Sequence, residues 1–420
     1  MTKPLLISTS DINGGAARAA YRLHKGLQSI NVDSQMLVQN KQSDDYTVIA
    51  PESKVSIGIG KLKHTLDILP LQIYPQRDRS TSYSVQWLPD KLDVKVAQIN
   101  PDVINLHWIN NGYLKIETIA KFKKPIVWTL HDMWAFTGGC HYNGDCMNYI
   151  NSCGACPQLH SYKEKDLSRW IWQRKAKAWQ NLNLTIVTPS HWLAKCAASS
   201  SLLKDTRIEV IPNGLDTKQY KPIEKSVARS ILGLPEDKHL ILFGAMSATS
   251  APRKGFNFLQ SALQNLSQSG WGENVELVVF GSSKPINPIE LGFNSHYLGI
   301  LNDDISLSLV YAAADVFLAP SVQDNLPNTV MESLACGTPC VAFDIGGMPD
   351  MIDHQQNGYL AQPFDIDDLA KGITWVLEDD ERLRKLGTNS REKVEQNFTL
   401  EIQANNYLSL YKDIYKTPIM

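Results

Sequence analysis

The sequence predicts an α/β protein of two doubly wound, parallel-sheet domains that face each other across a cleft. Three observations carry that expectation. Short apolar segments alternate with longer helical patterns, the signature of parallel α/β layers. The length of 420 residues suits two or three domains at about 100–200 residues each. The rhythm also restarts after a Pro-Asn-Gly turn at residues 212–214, near the middle of the chain.

Taken in order, residues 5–9 read as a strand, followed by the turn Asn13-Gly14-Gly15 and a helix over about 16–28. A second strand covers 34–38, and residues 41–98 show no clear period. The pattern resumes with a strand at 103–107, a helix near 113–122 and a strand at 126–130. A Cys- and Gly-rich loop follows, then a Trp-rich helix near 166–179, a strand at 184–187 and a helix from Ser190. The strand beginning at Arg207 ends in Pro212-Asn213-Gly214, a turn because Asn and Gly tolerate positive φ. The charged stretch 216–238 reads as a hinge. Beyond it, 240–243, 275–280, 316–318 and 339–342 are near-continuous apolar runs, as expected of strands covered on both faces. Helices are expected near 256–267, 305–313 and 329–335, with a last one over 402–415. The implied domains are 1–205, carrying the Cys-rich loop 138–160, then 206–398, with 399–420 returning to the first domain.

Composition narrows the function. Forty-one Lys and Arg against 43 Asp and Glu leave a formal charge of −2, so no global basic field recruits nucleic acid. With 43% hydrophobic and 20% charged residues, the chain is not mainly disordered. No apolar run approaches the ~18–20 residues that cross a bilayer. The N-terminus enters a strand directly, without a signal peptide's apolar core, so a cytoplasmic protein is expected.

Ligands of open parallel sheets bind beyond the carboxyl ends of the strands, which directs attention to the strand-to-helix loops. Gly14 and Gly15 let backbone approach a ligand, and the next helix offers amides that favour an anion. The loop is neither Gly-x-Gly-x-x-Gly nor a P-loop, so nicotinamide and Walker-type readings lack support. His131 ends a strand, where it can bond a ligand hydroxyl. Arg253 and Lys254 precede a helix and suit a diphosphate. Asp324 lies in a loop and Glu332 near the first turn of the helix after it. Two such carboxylates each accept paired hydrogen bonds from vicinal hydroxyls, which matches a sugar nucleotide with its two diols flanking a diphosphate. Each feature also has a purely structural reading: a tight turn, a core histidine, a solvated cation pair, a loop acid and a dipole-matching helix acid.

The order of these motifs resembles the retaining glycosyltransferases of family four, which have the GT-B fold of two Rossmann-like domains. Their hallmark is an acid, seven residues, a Glu, then Gly-x-Pro; here these are Asp324, Glu332 and Gly337-Thr338-Pro339. Gly14-Gly15, His131, the boundary at 212–216 and Lys254-Gly255 match further family positions. The resemblance implies an enzyme moving a sugar from a UDP- or GDP-linked donor to a glycan or lipid-linked acceptor in exported polysaccharide synthesis. The first domain would take the acceptor and the second the nucleotide sugar. It implies that Glu332 binds the ribose, and that Asp324 holds the donor sugar with backbone amides near Asn325 and Leu326. Arg253 and Lys254 would neutralise the leaving diphosphate, Gly14 and Gly15 line its phosphate side, and His131 meet the sugar near its anomeric carbon. No cofactor is implied for catalysis. Two departures stand out: the first acid is usually Glu, and the family's phosphate-binding Arg is replaced by Ala245-Met246, with Arg253 as its substitute. A sugar-nucleotide epimerase and a catalytically inactive binding protein share this fold and are the alternatives.

Two features fall outside that scheme. Cys140, Cys146, Cys153 and Cys156, four of seven cysteines, crowd one loop, and their Cys-x-x-Cys half is a good zinc knuckle. Structural zinc, free thiols and a disulfide are the readings; similar Cys-rich inserts occur in the polysaccharide-building subgroup. Residues 163–177 hold six basic and two acidic side chains, with Trp170, Trp172 and Trp179 along the helix. Such a helix either packs its tryptophans into the core, the favoured reading, or lies on an anionic membrane as a peripheral contact.

Overall fold

The computed structural model describes residues 2–244, 251–281, 291–301 and 303–416. Its strands are β1 (Pro4–Ser10), β2 (Gln35–Asn40), β3 (Val48–Ile49), β4 (Val103–Leu106), β5 (Ile126–Thr129), β6 (Leu184–Thr188) and β7 (Arg207–Val210), then β8 (His239–Gly244), β9 (Val275–Phe280), β10 (Ser295–Tyr297), β11 (Val316–Ala319), β12 (Cys340–Phe343) and β13 (Gly358–Ala361). The first seven form one sheet in the order β3-β2-β1-β4-β5-β6-β7, and the rest a second in the order β10-β9-β8-β11-β12-β13. Every pairing is parallel. Strands such as Val316–Ala319 and Cys340–Phe343 are buried along their whole length, which is why they read as unbroken apolar runs.

The chain divides into two compact units, Met1–Gly214 with Glu401–Met420, and Leu215–Leu400. The expected boundary at 205 is therefore early. Arg207–Val210 pairs with β6 and closes the edge of the first sheet, so the first unit runs through the Pro-Asn-Gly turn. In that unit the helix Leu400–Lys416 lies against one face of the sheet with Leu6, Val38, Val103, Val127 and Val187. Its buried tyrosines also reach polar groups on the strands. Asn105 Nδ2 donates to the Tyr411 hydroxyl at 2.7 Å, and the Thr129 and Tyr407 hydroxyls stand 2.8 Å apart.

The stretch 216–238, expected as a hinge, is part of the second unit. It contains the helix Lys225–Leu232, whose Ala228 and Arg229 are buried. Arg229 donates Nη2 to Asp315 Oδ2 at 2.7 Å, Nε to the Ala313 carbonyl at 3.0 Å and Nη1 to the Lys238 carbonyl at 2.9 Å. Charged composition suggested a solvated linker, but the central charge is answered inside the fold. Residues 41–98 also hold regular pieces, the helices Lys54–Asp67 and Leu92–Ile99.

Candidate functional site

Strand order reverses between β8 and β11 in the second sheet, so the loops leaving those two strands frame the position where doubly wound sheets bind ligands. The first loop ends in the turn Pro252–Lys254, and the second runs from Pro320 into the helix Asn328–Ala335. They are bolted together. The Val322 amide donates to the Arg253 carbonyl at 2.9 Å, and Arg253 Nη1 donates to the Gln323 carbonyl at 2.7 Å. Lys254 Nζ lies 2.6 Å from Asp324 Oδ2, and Arg253 Nη1 lies 3.1 Å from the same oxygen. Gly255 permits this approach: its φ is +70°, and a Cβ there would stand 1.8 Å from the Pro320 carbonyl oxygen. From the other side the Gly347 amide donates to the Asp324 carbonyl at 3.1 Å.

The electrostatics follow from this packing. Burial alone would raise the pKa of Asp324, but Arg253 and Lys254 outweigh it and hold the carboxyl well below the usual range. Two cations share one carboxylate, which leaves the cluster electropositive. The Asn325 amide donates to Asp324 Oδ1 at 3.1 Å, so it first serves that carboxylate, while Leu326 is buried in the core beneath the loop. Glu332 is the fifth residue of its helix, just past the first turn, because the helix begins at Asn328, one residue before the expected start. It is buried and accepts from the Tyr311 hydroxyl at 3.0 Å. Tyr311 went unrecognised in the sequence, where it reads as one more core aromatic; its ring does pack edge-on against Phe280 and Phe317. Ala245-Met246 lie outside the described residues.

In the first sheet the reversal falls between β1 and β4. Gly14 caps the helix Gly15–Ser29 with φ +93° and no side-chain cap, and a Cβ there would meet nothing within 4 Å. Conformation, not crowding, calls for that glycine. The end of β1 is tied to the loop after β4 by the Thr9 amide, which donates to the Trp108 carbonyl at 2.7 Å.

His131 follows β5 and is half-buried, its ring stacked on His107 with centroids 5.3 Å apart. His107 Nδ1 and His131 Nε2 are 3.0 Å apart, so one ring donates to the other. Burial pushes His131 down to about 4 against the opposing pull of Asp132, which makes it neutral at pH 7. Next to it, Asp132 Oδ2 lies 2.6 Å from His141 Nδ1 and accepts from Trp108 Nε1 at 2.9 Å, and Ser84 Oγ lies 2.9 Å from His141 Nε2. Burial favours the neutral Asp132 acid, yet His141 and these donors overcome it and lower its pKa. His107, Trp108, Asp132 and His141 were not singled out in the sequence. Their places just beyond β4 and β5 were the available signal.

The structure thus brings Arg253, Lys254, Asp324 and Asn325 together in the second unit, which also holds Leu326 and Glu332. Gly14, Gly15 and His131 belong to the first.

Cys140, Cys146, Cys153 and Cys156 line one small cavity with Tyr83, Thr137 and Ser168, and all are free thiols. Their chemistry suits structural zinc. Among the described residues no group of three or more His, Cys, Asp or Glu side chains is placed to hold a metal ion. The loop is held instead by ordinary bonds: Gly154 N to Ser168 Oγ at 2.9 Å, Cys156 N to Asp166 Oδ2 at 2.8 Å and Arg169 Nε to the Cys153 carbonyl at 2.8 Å. The thiols line the wall of that cavity.

The tryptophan helix spans Leu167–Trp179 with Asp166 as its N-cap. Trp179 is buried and Trp172 half-buried, while Trp170 is 45% exposed beneath the Arg174 guanidinium. Its cations are largely engaged. Arg174 pairs with Glu117 at 2.7 Å, and Lys175 is buried against the Trp134 ring, donating to the Trp134 and Thr137 carbonyls. Core packing is the main role of this helix. No helix among the described residues is long and apolar enough to cross a membrane.

Comparison with known proteins adds an independent line. The profile described as "Glycosyltransferase Family 4" matches residues 13–219, and that described as "Glycosyl transferases group 1" matches 224–393. The chain is 26% identical over 300 residues to an uncharacterized glycosyltransferase of Methanocaldococcus jannaschii, covering 67% of this chain and 74% of that one. It is 25% identical over 218 residues to the UDP-Gal:alpha-D-GlcNAc-diphosphoundecaprenol alpha-1,3-galactosyltransferase of Escherichia coli, covering 50% and 54%. The chain thus spans about half the length of that relative, as of the D-inositol 3-phosphate glycosyltransferase of Segniliparus rotundus, of which it covers 47%. Among solved structures, sucrose-phosphate synthase from Thermosynechococcus elongatus superposes with a TM-score of 0.71 at 19% identity, over 99% of each chain. The Anabaena protein HepE in complex with UDP-glucose does so with 0.64 at 17%, over 98% of this chain and 100% of that one. These likenesses establish the two-domain GT-B fold class.

Proposed function

Because the chain belongs to glycosyltransferase family 4, we propose that it transfers a sugar, with retention, from a UDP- or GDP-linked donor to a hydroxyl of a glycan or lipid-linked oligosaccharide. The supporting observation is the Arg253–Lys254–Asp324 cluster at the reversal of the second sheet. A nucleoside diphosphate sugar presents a dianionic bridge between two diols, and this site offers cations beside a carboxylate that stays ionised. Glu332, oriented by Tyr311, binds the ribose, and Asp324 holds the donor sugar's hydroxyls. Asn325 and Leu326 contribute backbone at the same loop. The printed name of the E. coli relative, a transferase acting on a sugar–diphosphoundecaprenol, supports a lipid-linked acceptor.

The chemistry is charge management. The bond between the anomeric carbon and the β-phosphate oxygen breaks, and the bond from that carbon to the acceptor oxygen forms. The acceptor's proton passes to the departing phosphate oxygen. Negative charge therefore grows on the diphosphate, where Arg253 and Lys254 are already fixed by Asp324 and the Gln323 carbonyl and need little reorganisation. In the first unit, the Gly14–Gly15 turn leaves backbone open to an anion, and the neutral His131 is suited to act as a hydrogen-bonding group rather than a cation.

Lys254→Ala is expected to lower kcat by about 10²–10³-fold, the cost of removing one preorganised charge-stabilising donor. Glu332→Gln should chiefly raise the dissociation constant of the nucleotide sugar, read by thermal shift across a panel of UDP- and GDP-sugars. Near-normal turnover in the lysine variant would remove it from the machinery. Consumption of the nucleotide sugar without any added acceptor would replace transfer with epimerisation.

A further inference from the structure

The helix Lys54–Asp67 and the tight turn Leu69–Ile73 that follows it carry large apolar side chains on the outside of the first unit. Val55, Ile59, Leu62 and Leu66 are spaced four, three and four residues apart, a stripe along the helix, and Leu69 and Ile73 continue the exposed apolar surface in the turn. Their exposures are 72%, 51%, 61%, 40%, 43% and 78%, so the stripe faces solvent where an ordinary surface helix shows polar groups. The helix attaches to the protein by a different face. The Gly60 carbonyl accepts from Gln39 Nε2 at 2.7 Å, and Asp67 is buried, accepting from the Val85 amide at 3.0 Å and the Gln86 amide at 2.7 Å. At about 100° per residue, Gly60 and Asp67 lie roughly a third of a turn around from the stripe. The anchoring face is polar and small, while the apolar face is presented.

Charge selects the partner. From Lys54 to His64 the helix contains Lys54, Lys61, Lys63 and His64 and no carboxylate, and Arg77 and Arg79 follow the stripe. Burial lowers the pKa of Lys63 against the opposing fields of Asp90 and Asp67. Pairing with a second copy would set cations against cations, because the helix's one carboxylate, Asp67, is buried and already accepts two backbone amides. We propose that this stripe is a membrane-contact surface, seated in the headgroup region of a bilayer rich in anionic lipid. Apolar side chains enter the acyl boundary and the flanking cations meet phosphate groups, the arrangement of an interfacial helix. Basic residues within a Debye length of the membrane strengthen such binding, so salt must weaken it. The membrane contact moves from the tryptophan helix, whose cations are engaged in the fold, to a segment that sequence periodicity left unread.

The test is flotation of the full chain with vesicles of phosphatidylcholine containing about one third phosphatidylglycerol, against phosphatidylcholine alone, at low and high salt. The bound fraction is expected to be highest on anionic vesicles at low salt and to fall several-fold when either condition is reversed. Leu62→Glu together with Leu66→Glu should cut binding by about tenfold or more with the melting temperature unchanged, since both positions are exposed. Ile59→Gln with Leu62→Gln is a milder pair that reads the same surface if the first pair misfolds. Failure of the wild-type chain to float with anionic vesicles, or equal flotation of the variants, overturns the proposal. So does a dimer in lipid-free sedimentation that the same substitutions dissolve, which would assign the stripe to a second copy. None of these measurements uses a donor sugar, so loss of the surface and loss of the transferase reading are told apart.

Discussion

Gly255 separates Lys254 from a helix and, at φ +70°, holds backbone where only 1.8 Å would remain between a Cβ and the Pro320 carbonyl. Gly255→Ala must therefore push the Pro252–Lys254 turn away from the 320–327 loop. The expected outcome is a loss of about 2 kcal/mol or more in urea-derived stability, with kcat reduced even though no charged group has changed. The same site shows what one sequence can disclose. Lys254-Gly255 and the Asp324–Glu332 spacing are legible because each is a short motif with a fixed chemical purpose. Tyr311 and His107 are not, because a buried tyrosine or histidine looks the same in a sequence whether it orients a ligand-binding group or simply fills space. Nor does spacing reveal that the four clustered cysteines line one cavity.

Among the elements, the helix Lys225–Leu232 was the largest departure from expectation. Its alternation of charged and small residues imitates a linker, and only the fold supplies Asp315 and four backbone carbonyls to receive Arg229. Asp315 is held in turn by Lys225 and by the Leu240 amide at 2.7 Å, which fixes the start of β8. Arg229→Met leaves a buried carboxylate short of its one buried cation and is expected to cost about 3–5 kcal/mol, measured by urea denaturation. Parallel strands, by contrast, were easy to find, since burial on both faces forces an unbroken apolar run. Short edge strands such as β3 and β10 lacked that signal. The helix Lys54–Asp67 escaped for a further reason: its apolar residues face outward, so it does not look like part of a core.

For the molecule as a whole, acid should act first through histidines. Burial pushes His24 and His131 each down to about 4, opposed in part by Asp45 and Asp132, and drives His107 well below its ordinary value. Between roughly pH 6.5 and 4 the unfolded chain binds protons at these positions that the folded chain refuses. Stability is thus full above about 6.5 and falls as the pH drops toward 4, by up to ~1.4 kcal/mol per pH unit for each histidine. Below about 4 the depressed carboxyls of Asp324 and Asp132 add a further loss. Melting temperatures measured from pH 7.5 to 4.5 should decline, and His24→Gln should flatten the decline, since its partners Ser34 and Thr47 need only a neutral side chain. A flat profile in the wild-type chain would show that these rings take up protons freely.

Tyr411 meets Asn105 across 306 positions of sequence, and Tyr407 meets Thr129 across 278. During synthesis, at ~5–20 residues per second, the earliest strands emerge long before their last covering layer exists. The second unit has all of its own segments in hand sooner than the first does, although it is made later. A nascent chain therefore carries an unfinished first sheet past a unit able to mature ahead of it, and the helix Leu400–Lys416 seals that sheet only afterwards.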